Sequence, residues 1–111
     1  MRRGAAILHA LVLTVCLSPL LGPLSAQESD GLIARGGRAF TSQGCYGCHQ
    51  VGKYGTPIGP DLSHVGAKYP ASYLRSWLRD PESVRPAGHM PKLELTPEDI
   101  QALAAYLASL K

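Results

Sequence analysis

The chain has 111 residues and a formal net charge of +3, with 11 lysines and arginines against 8 aspartates and glutamates. Arg2 and Arg3 account for two of the positive charges, so residues 27–111 carry a net charge of only +1. This near-neutral balance excludes a nucleic-acid-binding domain, which needs a face dense in lysine and arginine. The composition leaves proteins or small molecules as partners.

Residues 1–26 have the pattern of a secretory signal peptide: a basic start, an apolar stretch over residues 5–21 and a small residue, Ala26, at the end. We therefore predict a signal peptide at residues 1–26, a mature domain at residues 27–111, and a periplasmic or otherwise exported location. An uncleaved membrane anchor is the alternative, because about 20 apolar residues suffice to cross a bilayer. Pro19 argues against an anchor, and no membrane span is expected in the mature chain.

The mature domain begins with a loose helical pattern and continues into an irregular segment. Apolar residues at helical spacing start at Leu32 and enclose the pair Gly36 and Gly37, which destabilises a helix unless close packing requires it. Residues 44–68 then hold six glycines and two prolines without sustained periodicity. Such a composition is typical of a long loop, and a long loop needs something to order it.

Two further helices have clearer boundaries. Apolar residues recur on one face from Pro70, a favourable first helical residue, through Trp77, and this helix should end before Pro81. After a second irregular segment, Thr96 is placed as the N-cap and Pro97 as the first residue of the last helix. The apolar stripe of that helix is Ile100, Leu103, Ala104, Leu107 and Leu110. The predicted fold class is all-α, with about three helices, two irregular loops and no convincing strand.

The chemistry of the domain is indicated by the run C-Y-G-C-H at positions 45–49. In a C-x-x-C-H run the two thiols, here those of Cys45 and Cys48, add to the two vinyl groups of haem, and the next residue, His49, binds the iron. The spacing therefore predicts one covalently bound haem c. A domain as short as residues 27–111 buries limited apolar surface, so a bound cofactor would also stabilise it.

Three other interpretations of the same cysteines exist: a thioredoxin-like redox pair, a structural disulfide and half of a zinc site. A thioredoxin-like pair should follow a strand in a βαβ pattern, which the sequence lacks. A zinc site would have only His64 and His89 left as further histidine ligands. A plain disulfide explains neither His49 nor the glycine-rich segment behind it.

Met90 is the predicted second axial ligand of the iron. Apart from Met1 it is the only methionine, and it lies far beyond His49 in a proline-rich segment, directly before Pro91. The alternatives are a methionine that fills a gap in the core, or ligation by one of the two other histidines of the mature chain. A bis-histidine site would be harder to reduce, because thioether ligation favours ferrous iron.

Taken in order, these landmarks resemble monohaem class I cytochromes c of the compact bacterial type. The family pattern has a glycine and an aromatic residue before C-x-x-C-H, then Gly-Pro-x-Leu, a helix with tryptophan, Met-Pro and a final helix with an aromatic residue. The matching positions here are Gly36, Phe40, 45–49, 59–62, Trp77, 90–91 and Tyr106. The resemblance implies the all-α cytochrome c fold, with helices and loops wrapped around one covalently attached haem c.

The resemblance also implies roles for single residues. The carbonyl of Pro60 is expected to accept a hydrogen bond from the His49 ring, and Gly36 to let the first helix cross the last one closely beside Tyr106. Trp77 is expected to lie against the haem, with its indole N–H directed toward a propionate. The alternative for Trp77 is packing in the core alone.

The implied function is electron transport between a donor and an acceptor redox protein, not enzymatic catalysis. An alternative is a haem c subunit that accepts electrons within a larger periplasmic oxidoreductase, for example a sulfur-oxidising one. A less favoured alternative is a small haem peroxidase, which needs an open sixth position and a distal acid-base residue such as His64 or His89.

Overall fold

The computed structural model describes residues 24–111, so most of the expected signal peptide, residues 1–23, lies outside the described part of the chain. The helices and strands in chain order are α1 (Leu24–Ser42), a one-turn 3-10 helix (Cys45–Gly47), β1 (Gln50–Val51), β2 (Tyr54–Gly55), α2 (Val65–Lys68), α3 (Ala71–Arg79), α4 (Pro81–Val84) and α5 (Pro97–Ser109). The predicted all-α class is confirmed, since α1, α3 and α5 are the three expected helices. None of the helices within residues 24–111 has both the length and the apolar character needed to cross a membrane.

The first and last helices cross in close contact at Gly36. A Cβ atom placed on Gly36 would overlap the carbonyl oxygen of Ala102 and lie 2.6 Å from the Cβ of Tyr106. Such distances leave room for a hydrogen atom only, so α1 and α5 can approach this closely only at a glycine. The close packing of α1 against α5 therefore explains why a glycine lies inside a helix at position 36.

The core lies between α5 on one side and α1 and α3 on the other. Phe40 from α1 and Leu103 from α5 are 2% and 1% exposed, and Leu74 and Leu78 of α3 are buried against them. Of the predicted apolar stripe on α5, the four residues up to Leu107 are buried. Leu110, just beyond the end of α5, is half-buried.

Proline and capping residues set the ends of α3 and α5. Pro70 was predicted to be the first residue of α3. In the structure its backbone is extended, with φ −73° and ψ 162°, and the helix begins one residue later, at Ala71. At the other end, α3 stops at Arg79 because Asp80 is extended before Pro81, as expected of a residue that precedes proline. In α5 the hydroxyl of Thr96 accepts a hydrogen bond from the Asp99 amide at 3.1 Å.

The irregular segment 44–68 contains short elements that its sequence does not predict. β1 and β2 pair as two antiparallel strands of two residues each, joined by a turn in which Gly52 has a φ of +59°. α2 has only four residues, and its Gly66 lies against the end of α5, donating from its amide to the carbonyl of Leu110 at 2.7 Å. The prediction of no strand was wrong in this detail, because two residues are too few to show an alternating pattern.

Candidate haem-binding site

The C-x-x-C-H run, residues 45–49, folds into a single tight turn, called the attachment turn below. Gly44, with a φ of +76°, leads into the 3-10 helix, and the amides of Cys48 and His49 both donate to the carbonyl oxygen of Cys45, at 3.2 and 2.9 Å. Both cysteines are free thiols, with Cys45 half-buried and Cys48 exposed. Burial raises the pKa of the Cys45 thiol above its ordinary value. One turn of backbone therefore presents two thiols and the imidazole of His49 together.

A backbone carbonyl fixes the tautomer of His49. The Nδ1 atom of the ring lies 2.8 Å from the carbonyl oxygen of Pro60. Because a carbonyl oxygen only accepts, Nδ1 must carry the proton and donate it, which leaves the lone pair of Nε2 free for a metal. Such a hydrogen bond also orients the ring and raises its basicity as a ligand. The expected contact between His49 and Pro60 is therefore present.

Gly59 permits this contact, a role that is not predictable from its position in the sequence alone. A Cβ atom on Gly59 would lie 2.8 Å from Cε1 and 3.0 Å from Nδ1 of His49. The Gly59 amide also donates to the Cys48 carbonyl at 2.6 Å, which ties the segment before Pro60 to the attachment turn. In the sequence this role is indicated only by the Gly59-Pro60 pair, and the pair is recognisable only through the resemblance to the family pattern.

A small hydrogen-bond network supports the segment that carries Pro60. The carboxylate of Asp61 accepts from the Ser63 amide at 2.9 Å and from the Ser63 hydroxyl at 2.6 Å. These bonds hold the pKa of the Asp61 carboxyl below its usual range. The Ser63 oxygen in turn accepts from the Gly52 amide at 2.8 Å, so the turn between β1 and β2 is joined to the same segment.

Three aromatic rings back the attachment turn. Tyr46, inside the C-x-x-C-H run, packs edge-on against Phe40 with ring centroids 4.7 Å apart, and Phe40 meets Tyr106 at 5.5 Å. Burial, with a smaller contribution from the Tyr46 hydroxyl, raises the pKa of Tyr106 to about 12. Tyr46 therefore connects the turn to the crossing of α1 and α5. The sequence does not predict this role, because Tyr46 occupies an x position of the C-x-x-C-H run, where any residue fits the pattern.

Met90 is half-buried beside α3, and its sulfur has a hydrogen-bond donor. The indole Nε1 of Trp77 lies 3.1 Å from the sulfur of Met90 and donates to it. Trp77 is half-buried and stacks on Tyr73, with centroids 6.4 Å apart and planes inclined by 25°. The indole N–H thus has the Met90 sulfur as its partner, which the sequence does not predict.

The two remaining histidines of the mature chain lie in different surroundings. The ring Nδ1 of His64 lies 2.9 Å from the carbonyl oxygen of Lys111, just beyond the end of α5. His89 directly precedes Met90 in the second irregular segment. Residues 24–111 contain no group of three or more His, Cys, Asp or Glu side chains that could hold a metal ion. The zinc interpretation of the cysteines requires such a group.

This donor set fits a covalently attached haem c. Two free thiols lie on one turn at the spacing of a C-x-x-C-H run, and the neighbouring imidazole keeps its Nε2 lone pair for iron. An all-α domain that carries this arrangement defines a haem c protein of the electron-transfer class.

The chain belongs to the cytochrome c family, whose pattern matches residues 33–111. The predictions of a class I cytochrome c and of covalently bound haem c are confirmed. The crystal structure of the c-type cytochrome SorU from Sinorhizobium meliloti has the same fold, with a TM-score of 0.59 and 24% identity, over 73% of this chain and 92% of that one.

Two curated relatives share more sequence with the chain. Cytochrome c oxidase subunit 2 of Alkalihalophilus pseudofirmus is 36% identical over 94 residues, which cover 77% of this chain and 28% of the relative. Cytochrome c oxidase subunit 2 of Bacillus sp. (strain PS3) is 35% identical over 98 residues, covering 71% of this chain and 26% of the relative. The chain therefore spans about a quarter of the length of these relatives.

Proposed function

We propose that the chain is an exported monohaem carrier of single electrons, in which His49 and Met90 are the axial ligands of the haem iron. The observation that carries this proposal is the hydrogen bond of 2.8 Å from His49 Nδ1 to the Pro60 carbonyl, because it holds the imidazole in the tautomer that a metal requires. Support for Met90 comes from its place beside α3 and from its being the only methionine of residues 27–111.

Each residue of the site has a distinct task in this proposal. Haem c, when bound, supplies an iron that takes up and releases one electron. Cys45 and Cys48 hold the group to the attachment turn, and His49 provides a ligand whose orientation is fixed by Pro60. Met90 would supply a thioether ligand, which favours ferrous iron over ferric iron. Ligands that the fold holds in place would change little between the two oxidation states, as an electron carrier requires.

The location and the partners belong to the same proposal. Family membership implies redox proteins as partners. We propose that residues 1–26 are a signal peptide and that residues 27–111 act in the periplasm or an equivalent exported compartment. In the described part of the chain α1 begins at Leu24, before the proposed last residue of the signal, Ala26.

A second candidate function is favoured by the relatives. Both are named as subunits of cytochrome c oxidase, and the chain matches about a quarter of each. In this alternative the domain passes electrons within a larger oxidoreductase instead of diffusing between partners. Stable co-purification with a larger redox protein, at a fixed ratio through size-exclusion chromatography, would favour the alternative. A monomeric holoprotein that exchanges electrons with separate partners would favour the diffusible carrier.

The tether and the export are tested on the protein expressed with haem c attachment. We expect the periplasmic fraction to contain a coloured protein with the mass of residues 27–111 plus one haem. The colour should stay with the protein after acid-acetone treatment, because thioether bonds survive denaturation. The matched control is the double variant Cys45→Ala and Cys48→Ala, which should lose all colour in the same treatment. Colour extracted from the unmodified protein would contradict the tether, and a mass that includes residues 1–26 would contradict cleavage.

Gly59→Ala is expected to disturb the His49 ligand. The new methyl group would lie 2.8 Å from the ring carbon Cε1, so the ring or the Pro60 segment must shift and the hydrogen bond to Pro60 must weaken. A less basic imidazole stabilises ferric iron less, so the reduction potential should rise, and holoprotein yield should fall. Redox titration and the histidine resonances of the ferric protein report the change.

Gly47→Ala is the matched control for Gly59→Ala. Gly47 lies in the same site, has no positive φ, and has nothing within 4 Å of the position of an added Cβ. The control should keep the potential and the histidine resonances of the unmodified protein. Equal behaviour of the two variants would show that the contact of Gly59 with His49 does not matter.

A further inference from the structure

A groove runs between α3, the loop segment 92–95 and the start of α5. Its volume is about 600 Å³. Clefts that bind ligands have volumes of about 300 to 1,000 Å³, so the groove is large enough to hold one. In the part of the chain that the structure describes, its lining includes neither Met90 nor the attachment turn. The proposed function therefore assigns no task to this groove.

The walls of the groove are basic. Arg75 and Arg79 lie one turn apart on α3, so their guanidinium groups are on the same face, and Lys92 adds a third positive charge from the loop. Glu94 is the acidic residue of the lining, so three positive charges against one negative charge give the groove a formal charge of +2. All four residues are exposed. The groove therefore attracts a negatively charged partner.

The floor of the groove is apolar. Ile100 is buried, and Leu93 and Leu95 are half-buried, in alternation with the exposed Lys92 and Glu94. Within segment 92–95 of the described chain, the sole backbone hydrogen bond runs from the Leu95 amide to the Leu93 carbonyl oxygen, at 3.0 Å. The segment thus offers both apolar side chains and unpaired backbone groups next to the basic wall.

We propose that this groove binds an acidic, extended segment of a partner protein. Carboxylates of that segment bind Arg75 and Arg79, because a guanidinium group can hold a carboxylate with two parallel hydrogen bonds. Apolar side chains of the segment pack against Leu93 and Leu95. The backbone of an extended segment supplies the donors and acceptors that the loop 92–95 leaves unpaired. This docking goes beyond the proposed electron transfer and uses none of its residues.

The groove and Met90 lie on different sides of α3. Successive residues of an α-helix are rotated by about 100°, so Arg75, two residues before Trp77, lies about 200° around the helix from it. The Trp77 indole faces Met90, with its Nε1 atom 3.1 Å from the sulfur. A partner segment in the groove therefore leaves the Met90 side of α3 uncovered, and a docked protein keeps its ferric absorption spectrum.

Binding is tested on the holoprotein with a labelled synthetic peptide of alternating glutamate and leucine, by fluorescence anisotropy. We expect saturable binding that weakens as salt is added, because the charges that attract the peptide are exposed. The double variant Arg75→Gln and Arg79→Gln should bind about tenfold more weakly, since it loses two charge-assisted contacts. A peptide with glutamine in place of glutamate should be weakened to a similar degree on the unmodified protein.

The matched control is the double variant Arg35→Gln and Arg38→Gln. It removes the same charge from two exposed arginines of α1 that do not line the groove in the described chain. This control should bind the acidic peptide as the unmodified protein does. Equal weakening in both double variants would show that net charge alone attracts the peptide, and the proposal would be wrong.

Other occupants of the groove give different results. Displacement of the peptide by inorganic phosphate at an equal concentration would assign the groove to small anions. A dimer in sedimentation experiments that is lost in Arg75→Gln with Arg79→Gln would assign it to a second copy of the chain. Either result would overturn the proposal. A failure to bind, with an unchanged haem spectrum, would also overturn it and would leave the proposed electron transfer intact.

Discussion

Gly36→Ala is expected to lower the free energy of unfolding of the holoprotein by about 3 kcal/mol, at the upper end of what overpacking usually costs. The added methyl group would overlap the Ala102 carbonyl oxygen, which is part of the backbone of α5 and cannot rotate away as a side chain could. Relief requires α1 and α5 to separate, and that separation also loosens the packing of Phe40 and Tyr106. Guanidinium unfolding followed by far-UV circular dichroism measures the loss as a lower midpoint.

Two other glycines of α1 provide controls for this prediction. At Gly31 nothing lies within 4 Å of the position of an added Cβ, and at Gly37 only the Tyr106 ring does, at an ordinary 3.5 Å. Alanine at either position should leave stability unchanged or raise it by up to about 1 kcal/mol, because alanine favours helix. If Gly36→Ala unfolds at the same midpoint as Gly31→Ala, the close crossing of α1 and α5 does not hold the domain together.

The parts of the fold that could be predicted are those with a local chemical cause. Proline ends α3, and Thr96 with Pro97 begins α5, because these residues restrict the backbone wherever they occur. Helical spacing on one face likewise predicted which side of α5 is buried. The short strands β1 and β2 and the short helices α2 and α4 were missed because each is too short to repeat its pattern.

In the site, too, the residues that could be predicted are those with a local chemical cause. Cys45, Cys48 and His49 could be predicted because thioether attachment needs contiguous residues at fixed spacing. The partner of His49 is 11 residues away, and only the family resemblance supplied Pro60. The bond from Trp77 to Met90 could not be predicted, since it depends on how the irregular loop after α4, which holds Pro86 and Pro91, folds back on α3. Such loop paths are set by tertiary packing.

Met90→Ala is expected to produce the largest functional change. Without the thioether, the position on the iron that Met90 is proposed to fill would be open, so the weak far-red charge-transfer band of a methionine-ligated ferric haem should be absent and added cyanide should bind promptly. The reduction potential should fall by on the order of 100 mV or more, because thioether ligation favours ferrous iron and axial ligands span about 0.8 V in haem proteins. Redox titration and the ferric absorption spectrum measure both effects. An unchanged potential would show that Met90 is not a ligand.

His89→Ala is the sharpest control, because His89 is adjacent to Met90 in the same loop. It should keep the band, and so should His64→Ala, whose histidine lies near Lys111 beyond the end of α5. Loss of the six-coordinate spectrum in either histidine variant, with the spectrum retained in Met90→Ala, would assign the sixth position to that histidine.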